Sequence, residues 1–149
     1  MDKVETVFLS RSEQETQSIA CALASEIKGG NVFCFRGDLG MGKSVFCRAL
    51  IRALCGNADL EVPSPTFTLV QIYDGPDFPL WHFDLYRLGD PSEIYEIGWE
   101  EALSDGVVLV EWPERLGSLL PSRYTDVRIS SVSDHPNHRE IKIIKYDDA

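Results

Sequence analysis

The sequence has no apolar run that approaches the roughly 20 residues of a membrane-spanning helix. Residues 1–5 also lack the layout of a signal peptide, which begins with basic residues and continues with a long apolar segment. These two absences predict a cytoplasmic protein that makes no contact with a membrane.

Basic residues are scarce, with 14 Lys and Arg against 24 Asp and Glu and a net charge of −10. Nucleic-acid backbones and anionic membrane surfaces both attract proteins with basic surfaces. The charge therefore argues against direct binding to DNA, RNA or membranes. It leaves open a basic partner, or a partner complex that itself holds RNA.

The four cysteines include no C-x-x-C pair, which argues against a redox motif or a zinc ribbon. Each lies in a periodic apolar segment, a position typical of a packed side chain. The pattern predicts buried free thiols without disulfide or metal roles, at Cys21, Cys34, Cys47 and Cys55.

The length of 149 residues suits one domain with its own core and is too short for two ordinary domains. The apolar fraction of 44% is normal for a globular protein. No internal repeat, low-complexity tract or linker interrupts the chain. The sequence therefore predicts one domain that spans residues 1–149.

One segment carries a specific chemical signal, the run Gly37-Asp38-Leu39-Gly40-Met41-Gly42-Lys43-Ser44. It has the G-x-x-x-x-G-K-S pattern of a P-loop, whose backbone amides surround nucleotide phosphates. Lys43 would reach the β- and γ-phosphates, and the Ser44 hydroxyl would bind Mg²⁺. An apolar run at 31–36 predicts a strand before the loop, and 45–54 has the periodicity of a helix after it.

Local patterns predict the remaining elements. Ser12 and Glu15 form a capping box that begins a helix, and Gly29-Gly30 ends it. A second capping box begins at Asp90. The other predicted elements are an edge strand at 3–9, a hairpin of 66–73 and 80–86, a short helix or helix pair at 91–104, a buried strand at 107–110, a short helix after it, and two strands at 126–133 and 139–146 around a turn at 134–137.

Nucleotide hydrolysis also requires carboxylates that hold Mg²⁺ and orient the attacking water. Glu111 directly follows the buried strand, and Asp84 lies in an aromatic strand. The alternatives are a solvated turn residue for Glu111 and a structural partner of Arg87 or Tyr86 for Asp84. Thr66 follows Pro65 in a stiff loop, where its hydroxyl could sense a γ-phosphate or simply belong to a turn.

Four segments together resemble a known family. They are the P-loop, Ser64-Pro65-Thr66-Phe67-Thr68-Leu69, His82-Phe83-Asp84-Leu85-Tyr86-Arg87-Leu88 and Val110-Glu111-Trp112-Pro113-Glu114. Their types, order and spacing are similar to those of the bacterial TsaE (YjeE) family over about residues 10–140. Ser44 in place of Thr and Met41 in place of Ala are minor departures from that pattern.

The resemblance implies the function of a P-loop ATPase in threonylcarbamoyladenosine biosynthesis. The family's members bind ATP and Mg²⁺ and cycle a complex of the partner proteins TsaB and TsaD. That complex modifies adenosine 37 of tRNAs that read ANN codons, so contact with tRNA is expected only through the complex. Together with the predicted elements, the resemblance implies an α/β, three-layer P-loop NTPase fold whose mixed central sheet includes antiparallel strands.

The resemblance also implies roles for individual residues. Lys43, Glu111, Asp84 and Thr66 are the candidate catalytic residues, with Thr66 as a switch-like threonine. Ser44 and Glu111 are the candidate Mg²⁺ ligands, although either acid could be the direct one. The candidate nucleotide-binding residues are Gly37, Asp38, Leu39, Gly40, Met41, Gly42, Lys43, Ser44, Asp84, Trp112 and, with weaker similarity, Ser12, Thr16 and Arg139.

Two other functions fit a P-loop, a small-molecule kinase and a non-catalytic adaptor that responds to nucleotide. A kinase needs an Arg-rich lid, whereas residues 120–139 have the pattern of strands. The absence of an N-K-x-D segment argues against a GTPase. No arginine finger can be assigned, so the isolated chain is expected to hydrolyse ATP slowly until a partner completes the site.

Overall fold

A seven-stranded mixed sheet forms the centre of the computed structural model, which describes residues 2–38, 41–65 and 68–147. The strand order across the sheet is β1-β7-β6-β2-β5-β4-β3. The strands are β1 (Asp2–Ser10), β2 (Val32–Arg36), β3 (Val70–Asp74), β4 (Pro79–Asp84), β5 (Val107–Glu111), β6 (Tyr124–Val132) and β7 (His135–Asp147).

Helices cover both faces of this sheet. The α-helices are α1 (Glu13–Ala24), α2 (Lys43–Cys55) and α3 (Trp99–Asp105), and 3₁₀ helices span Pro91–Ile97 and Pro113–Leu119. Helices α1 and α2 bury one face, where Phe33 and Phe35 point. Helix α3 and the 3₁₀ helices bury the other face, where Cys34 points. This arrangement confirms the predicted three-layer α/β fold with a mixed sheet.

The four inner strands decide where a site can form. Strand β2 pairs in parallel with β5 and β6, and β5 pairs in parallel with β4. The carboxyl ends of these strands therefore meet at one edge of the sheet, which is where open α/β sheets bind ligands. The antiparallel pairs β1–β7, β6–β7 and β3–β4 extend the sheet on either side.

The predicted capping box at Asp90 is present, since the Asp90 carboxyl accepts a hydrogen bond from the Ser92 amide at 2.9 Å and the Glu93 carboxyl accepts one from the Asp90 amide at 3.0 Å. At Ser12 the predicted box forms only in part. The Ser12 hydroxyl accepts a hydrogen bond from the Glu15 amide at 3.1 Å, but the Glu15 carboxyl bonds the Arg11 amide, at 2.8 Å, rather than the Ser12 amide. The predicted helix pair, the hairpin of β3 and β4, the edge strand and the buried strand β5 are also confirmed.

Three predicted boundaries were wrong. Helix α1 ends at Ala24 rather than at Gly29-Gly30, because Glu26 and Ile27 turn back to the carbonyls of Leu23 and Ala24. Strand β3 begins at Val70 rather than at Thr66, since the Leu69 amide bonds the Pro65 carbonyl in a turn. The last hairpin turns tightly, with Val132 paired to His135, so the predicted turn at 134–137 lies largely inside β7.

The prediction for the cysteines holds only in part. Cys34 and Cys47 are buried and Cys55 is half-buried, but Cys21 is exposed on α1. All four thiols are free. Ala20 and Leu23 of the same helix are buried in the core, whereas Cys21 borders an open cleft between α1 and α2.

Candidate active site

The P-loop begins at the carboxyl end of β2, where Gly37 meets a neighbouring strand. A Cβ at Gly37 would lie 2.5 Å from the Ile129 carbonyl oxygen, and the residue has a φ of 155°. Only glycine fits so close to another backbone. Leu39 and Gly40, two of the predicted phosphate-binding residues, lie outside the described residues.

Helix α2 points its N-terminus at the loop. Its N-cap, Gly42, has a φ of 103° and offers no side chain to the helix. The first amides of a helix have no intrahelical carbonyl partner, and together they form the positive end of its dipole. This end of α2 is therefore suited to an anion such as a phosphate.

Lys43 lies under an aromatic ring at the start of α2. Its side chain is 6% exposed, and its Nζ is 4.2 Å from the centre of the Trp112 ring. A cation over the face of an indole is attracted to it by about 0.5–2 kcal/mol. The contact holds the ammonium group beside the loop.

Trp112 reaches that position through an unusual backbone. Its φ is 60° and its ψ is 52°, a left-handed conformation that costs a non-glycine residue roughly 1–2 kcal/mol. The turn follows β5 directly and brings the ring against Tyr86, with 5.0 Å between ring centres. Backbone strain of this kind often accompanies a functional site.

The two predicted acids are neighbours at the same edge of the sheet. Asp84 ends β4, Glu111 ends β5, and the two residues are paired in the parallel register. Both are buried, at 5% and 6% exposed. Glu111 is also paired with Phe35 of β2, so it lies next to the strand that leads into the P-loop, whereas Asp84 lies one strand further away.

The surroundings of Asp84 give it a structural contact as well. Its Oδ1 accepts a hydrogen bond from the Tyr86 amide at 3.1 Å, which stabilises the turn after β4. Asp84 therefore has the structural contact with Tyr86 that the sequence analysis left open as its alternative role.

His82 is the nearest polar neighbour of Glu111. Its Nε2 lies 2.8 Å from Glu111 Oε2, and both side chains are buried. Because residues two apart on a strand face the same side of a sheet, His82 and Asp84 share the face covered by α2. The hydrogen bond fixes the position of the Glu111 carboxyl group.

Ser44 and Glu111 border one small cavity of about 50 Å³, beneath the start of α2. A hydroxyl and a carboxyl oxygen are ligands that Mg²⁺ prefers. Ser44 and Glu111 therefore fit the cation that the resemblance implies. Asp84 does not line this cavity, which favours Glu111 over Asp84 as the direct ligand.

Cys47 lines the same cavity from α2. Burial raises the pKa of its thiol well above the ordinary value of 9.0, Glu111 adds to the rise, and Lys43 opposes it. The thiol is therefore neutral at physiological pH, beside a carboxyl group and an imidazole.

The residues predicted with weaker similarity lie together on a second cleft. Ser12, Thr16 and Arg139 line a space of about 430 Å³ together with Met41 and Gly42 of the loop. This cleft and the small cavity share no lining residue. Both hydroxyls already take part in hydrogen bonds, since Ser12 caps α1 and the Thr16 hydroxyl lies 2.7 Å from the Ser10 hydroxyl.

Arg139 ties the last hairpin to the P-loop. Its Nε donates to the Met41 carbonyl at 3.2 Å, and its Nη1 donates to the carbonyls of Pro136 and His138, each at 2.8 Å. The guanidinium group thus supports the loop from one side.

The structure brings most of the predicted site residues to one edge of the sheet, namely Gly37, Asp38, Met41, Gly42, Lys43, Ser44, Asp84, Glu111 and Trp112. Thr66 lies outside the described residues, so its predicted role stays a prediction. The sequence analysis did not include His82 and Cys47 among the residues of this site. The spacing of His82 and Asp84 on one strand was the signal for His82, whereas no local pattern marked Cys47.

Within the described ranges, no helix has the length and apolar character that a membrane span requires.

The site has the features of a P-loop: a strand, a glycine loop and a following helix, with a buried lysine and two acids at the carboxyl edge of a mixed sheet. These features define a nucleotide-binding protein of the P-loop class.

Comparisons with known proteins identify the family within that class. The family model described as threonylcarbamoyl adenosine biosynthesis protein TsaE matches residues 10–141. A Rickettsia bellii protein named tRNA threonylcarbamoyladenosine biosynthesis protein TsaE is 42% identical over 134 residues, 90% of this chain and 92% of its own length. The Bacillus subtilis protein of the same name is 36% identical over 86% of this chain and 78% of its own length.

A solved structure agrees with these relatives. The crystal structure of Bacillus subtilis YdiB aligns with a TM-score of 0.77 and 28% identity over 99% of this chain and 89% of that one. The chain therefore belongs to the TsaE family.

Proposed function

We propose that this chain is a Mg²⁺-dependent ATPase, formed by a single domain, that serves the threonylcarbamoyladenosine modification of tRNA. The names of its relatives place them in this pathway, which supports the same pathway for this chain. The main support for the ATPase activity is that three buried charged residues, Lys43, Asp84 and Glu111, lie close together beside the P-loop.

The phosphate tail of ATP is bound by the first amides of α2 and by Lys43. The ring of Trp112 keeps the ammonium group at the loop. Because Lys43 is buried, its charge acts in a medium of low dielectric constant and interacts with phosphate more strongly than it would in water. These groups are in place before the nucleotide binds.

Ser44 and Glu111 would hold Mg²⁺, with Ser44 contributing its hydroxyl and Glu111 its carboxyl group. When bound, the cation neutralises negative charge on the β- and γ-phosphate oxygens. His82 bonds Glu111 Oε2, which would hold the carboxyl group in position for the cation. Asp84, the second buried carboxyl group at this edge of the sheet, would help to orient the attacking water.

Two arginines near the P-loop support slow hydrolysis by the isolated chain, because their donors are already engaged. Arg139 directs its Nε and Nη1 donors to three backbone carbonyls. Arg36 is bonded to the buried Asp126. We therefore propose that a surface of the partner proteins TsaB and TsaD completes the site, and that tRNA is contacted only through that complex.

Two variants test this proposal, with binding of ATP and release of phosphate measured separately. Lys43→Ala removes a charged hydrogen bond of about 1.5–3 kcal/mol, so affinity for ATP should fall by roughly 10- to 150-fold. Glu111→Gln should keep ATP binding and lose turnover. Glu114→Gln changes an exposed acid three residues further on and is the matched control, which should behave as the unmodified chain.

Three outcomes would contradict the proposal. Unchanged affinity for ATP in Lys43→Ala would refute the proposed phosphate site at Lys43. Transfer of a labelled γ-phosphate to a metabolite, rather than its release as inorganic phosphate, would indicate a kinase. Normal cellular function of Glu111→Gln with no turnover would indicate an adaptor that only responds to nucleotide.

A further inference from the structure

Three buried side chains with different ligand atoms meet beneath the start of α2. Cys47 comes from α2, His82 from β4 and Glu111 from β5, and they are 1%, 3% and 6% exposed. One sulfur, one ring nitrogen and one carboxyl oxygen all lie within 4.8 Å of one another. The three backbones are held by separate packed elements.

This set of donors differs from that of a magnesium site. Mg²⁺ binds oxygen ligands, whereas a thiolate, an imidazole and a carboxylate are the protein ligands of Zn²⁺. With zinc–ligand distances of 2.0–2.3 Å, ligand atoms in a tetrahedral site lie about 3.3–3.7 Å apart. His82 Nε2 and Glu111 Oε2 are 2.8 Å apart, and the widest separation in the cluster is at most 4.8 Å. Side-chain shifts of about 1 Å would therefore close the cluster around an ion.

The cavity has room for such an ion, and the His82 ring can adjust to bind it. The three residues border the cavity of about 50 Å³, which exceeds the roughly 30 Å³ that one water molecule occupies in the liquid. A water in this cavity would complete a four-coordinate site. His82 Nδ1 is buried and has no hydrogen-bond partner among the residues that the structure describes. The ring is therefore not locked by a second hydrogen bond and can present either nitrogen.

We propose that Cys47, His82 and Glu111 form a Zn²⁺ site that shares Glu111 with the magnesium site. On binding, the Cys47 sulfur would form a bond to zinc and its proton would leave to the solvent. The hydrogen bond between His82 Nε2 and Glu111 Oε2 would be replaced by two bonds to the metal, with the proton of the neutral His82 ring carried on Nδ1 so that Nε2 has a free lone pair. Zn²⁺ thereby withdraws Glu111 from Mg²⁺ and inhibits hydrolysis. The inhibition rests on the proposed ATPase function, whereas the binding of zinc does not.

Cobalt is the probe for the site, because Co²⁺ takes the place of Zn²⁺ and gives a sulfur-to-metal charge-transfer band when a thiolate binds it. Titration of the whole chain with CoCl₂ should produce this band with one ion per chain, and Zn²⁺ should then abolish it. Cys47→Ser should show no band and should bind Zn²⁺ at least about tenfold more weakly, a change of about 1.4 kcal/mol, in competition with a chromophoric chelator.

Two controls separate this site from other metal-binding groups. Cys21→Ser removes an exposed thiol on α1 and should leave the band intact. His135→Asn with His138→Asn removes the stacked surface pair and should also leave it intact. If Cys47→Ser does not fold, as judged by circular dichroism, His82→Gln takes its place and should weaken Zn²⁺ binding to the same extent.

The results that would overturn the proposal are distinct from those that would overturn the ATPase. A band that persists in Cys47→Ser, or the absence of any band in the unmodified chain, would remove the zinc site and leave the ATPase proposal standing. If the chain binds Co²⁺ through Cys47 but does not hydrolyse ATP, the ATPase proposal falls and the zinc site stands. Hydrolysis that Zn²⁺ inhibits equally in Cys47→Ser and in the unmodified chain would exclude inhibition through this site.

Discussion

Replacement of His82 by leucine should destabilise the protein by a predictable amount. The substitution keeps a side chain of similar size in a buried position of β4 and removes the partner of Glu111 Oε2. Glu111 is itself 6% exposed, so bulk water has little access to the carboxyl oxygen that loses its partner. A buried polar group that loses its partner costs about 1–3 kcal/mol.

One contribution works in the opposite direction. His82 Nδ1 is already buried without a partner among the described residues, and leucine removes that unfavourable atom. We therefore expect a net loss of about 1.5 kcal/mol in the free energy of unfolding. For a chain of 149 residues, this corresponds to a fall of about 3–6 °C in the melting temperature. His82→Gln keeps an N–H donor and should cost less than about 1 kcal/mol.

The assay is urea denaturation of the unmodified chain, His82→Leu, Glu111→Leu and the double variant. The double-mutant cycle isolates the interaction between the two residues, and it should give a coupling energy of about 1 kcal/mol or more. A coupling below about 0.5 kcal/mol, which is within the error of additivity, would refute the reasoning. So would equal losses in His82→Leu and His82→Gln, because shape rather than the hydrogen bond would then explain the change.

Three further predictions follow from other parts of the fold. Gly37→Ala should destabilise the chain by about 1–3 kcal/mol and weaken nucleotide binding, because the new Cβ meets the Ile129 carbonyl; unchanged denaturation midpoints would contradict this. Burial raises the pKa of the Cys34 thiol from 9.0 to about 12. The unfolded chain therefore holds fewer protons between pH 9 and pH 12, so stability should fall in that window by up to about 1.4 kcal/mol per pH unit. Cys34→Ala should show a shallower fall than the unmodified chain, and identical slopes would exclude this cause. Ser12→Ala should cost about 1 kcal/mol, since the Glu15 amide loses its cap, whereas Ser18→Ala on the exposed face of the same helix should cost less in the same thermal melts.

The sequence by itself determined the elements whose signals are local. The P-loop glycines, the two capping boxes and the apolar run of Val107–Val110 each specify a turn, a helix start or a buried strand through contacts between near neighbours in the chain. The same patterns placed Lys43 at the start of a helix and Glu111 at the end of a strand. Boundaries such as the end of α1 were missed because Ile27 packs against the core from outside the helix and continues the apolar period.

Only the tertiary structure decided which side chains meet. His82 and Glu111 are 29 residues apart, and their contact depends on the parallel pairing of β4 with β5 and on the register of that pair. Lys43 contacts Trp112 because β2 lies next to β5 and because Trp112 takes a left-handed backbone. Strand order and register arise from packing across the whole sheet, and no short stretch of sequence contains the energies that select them.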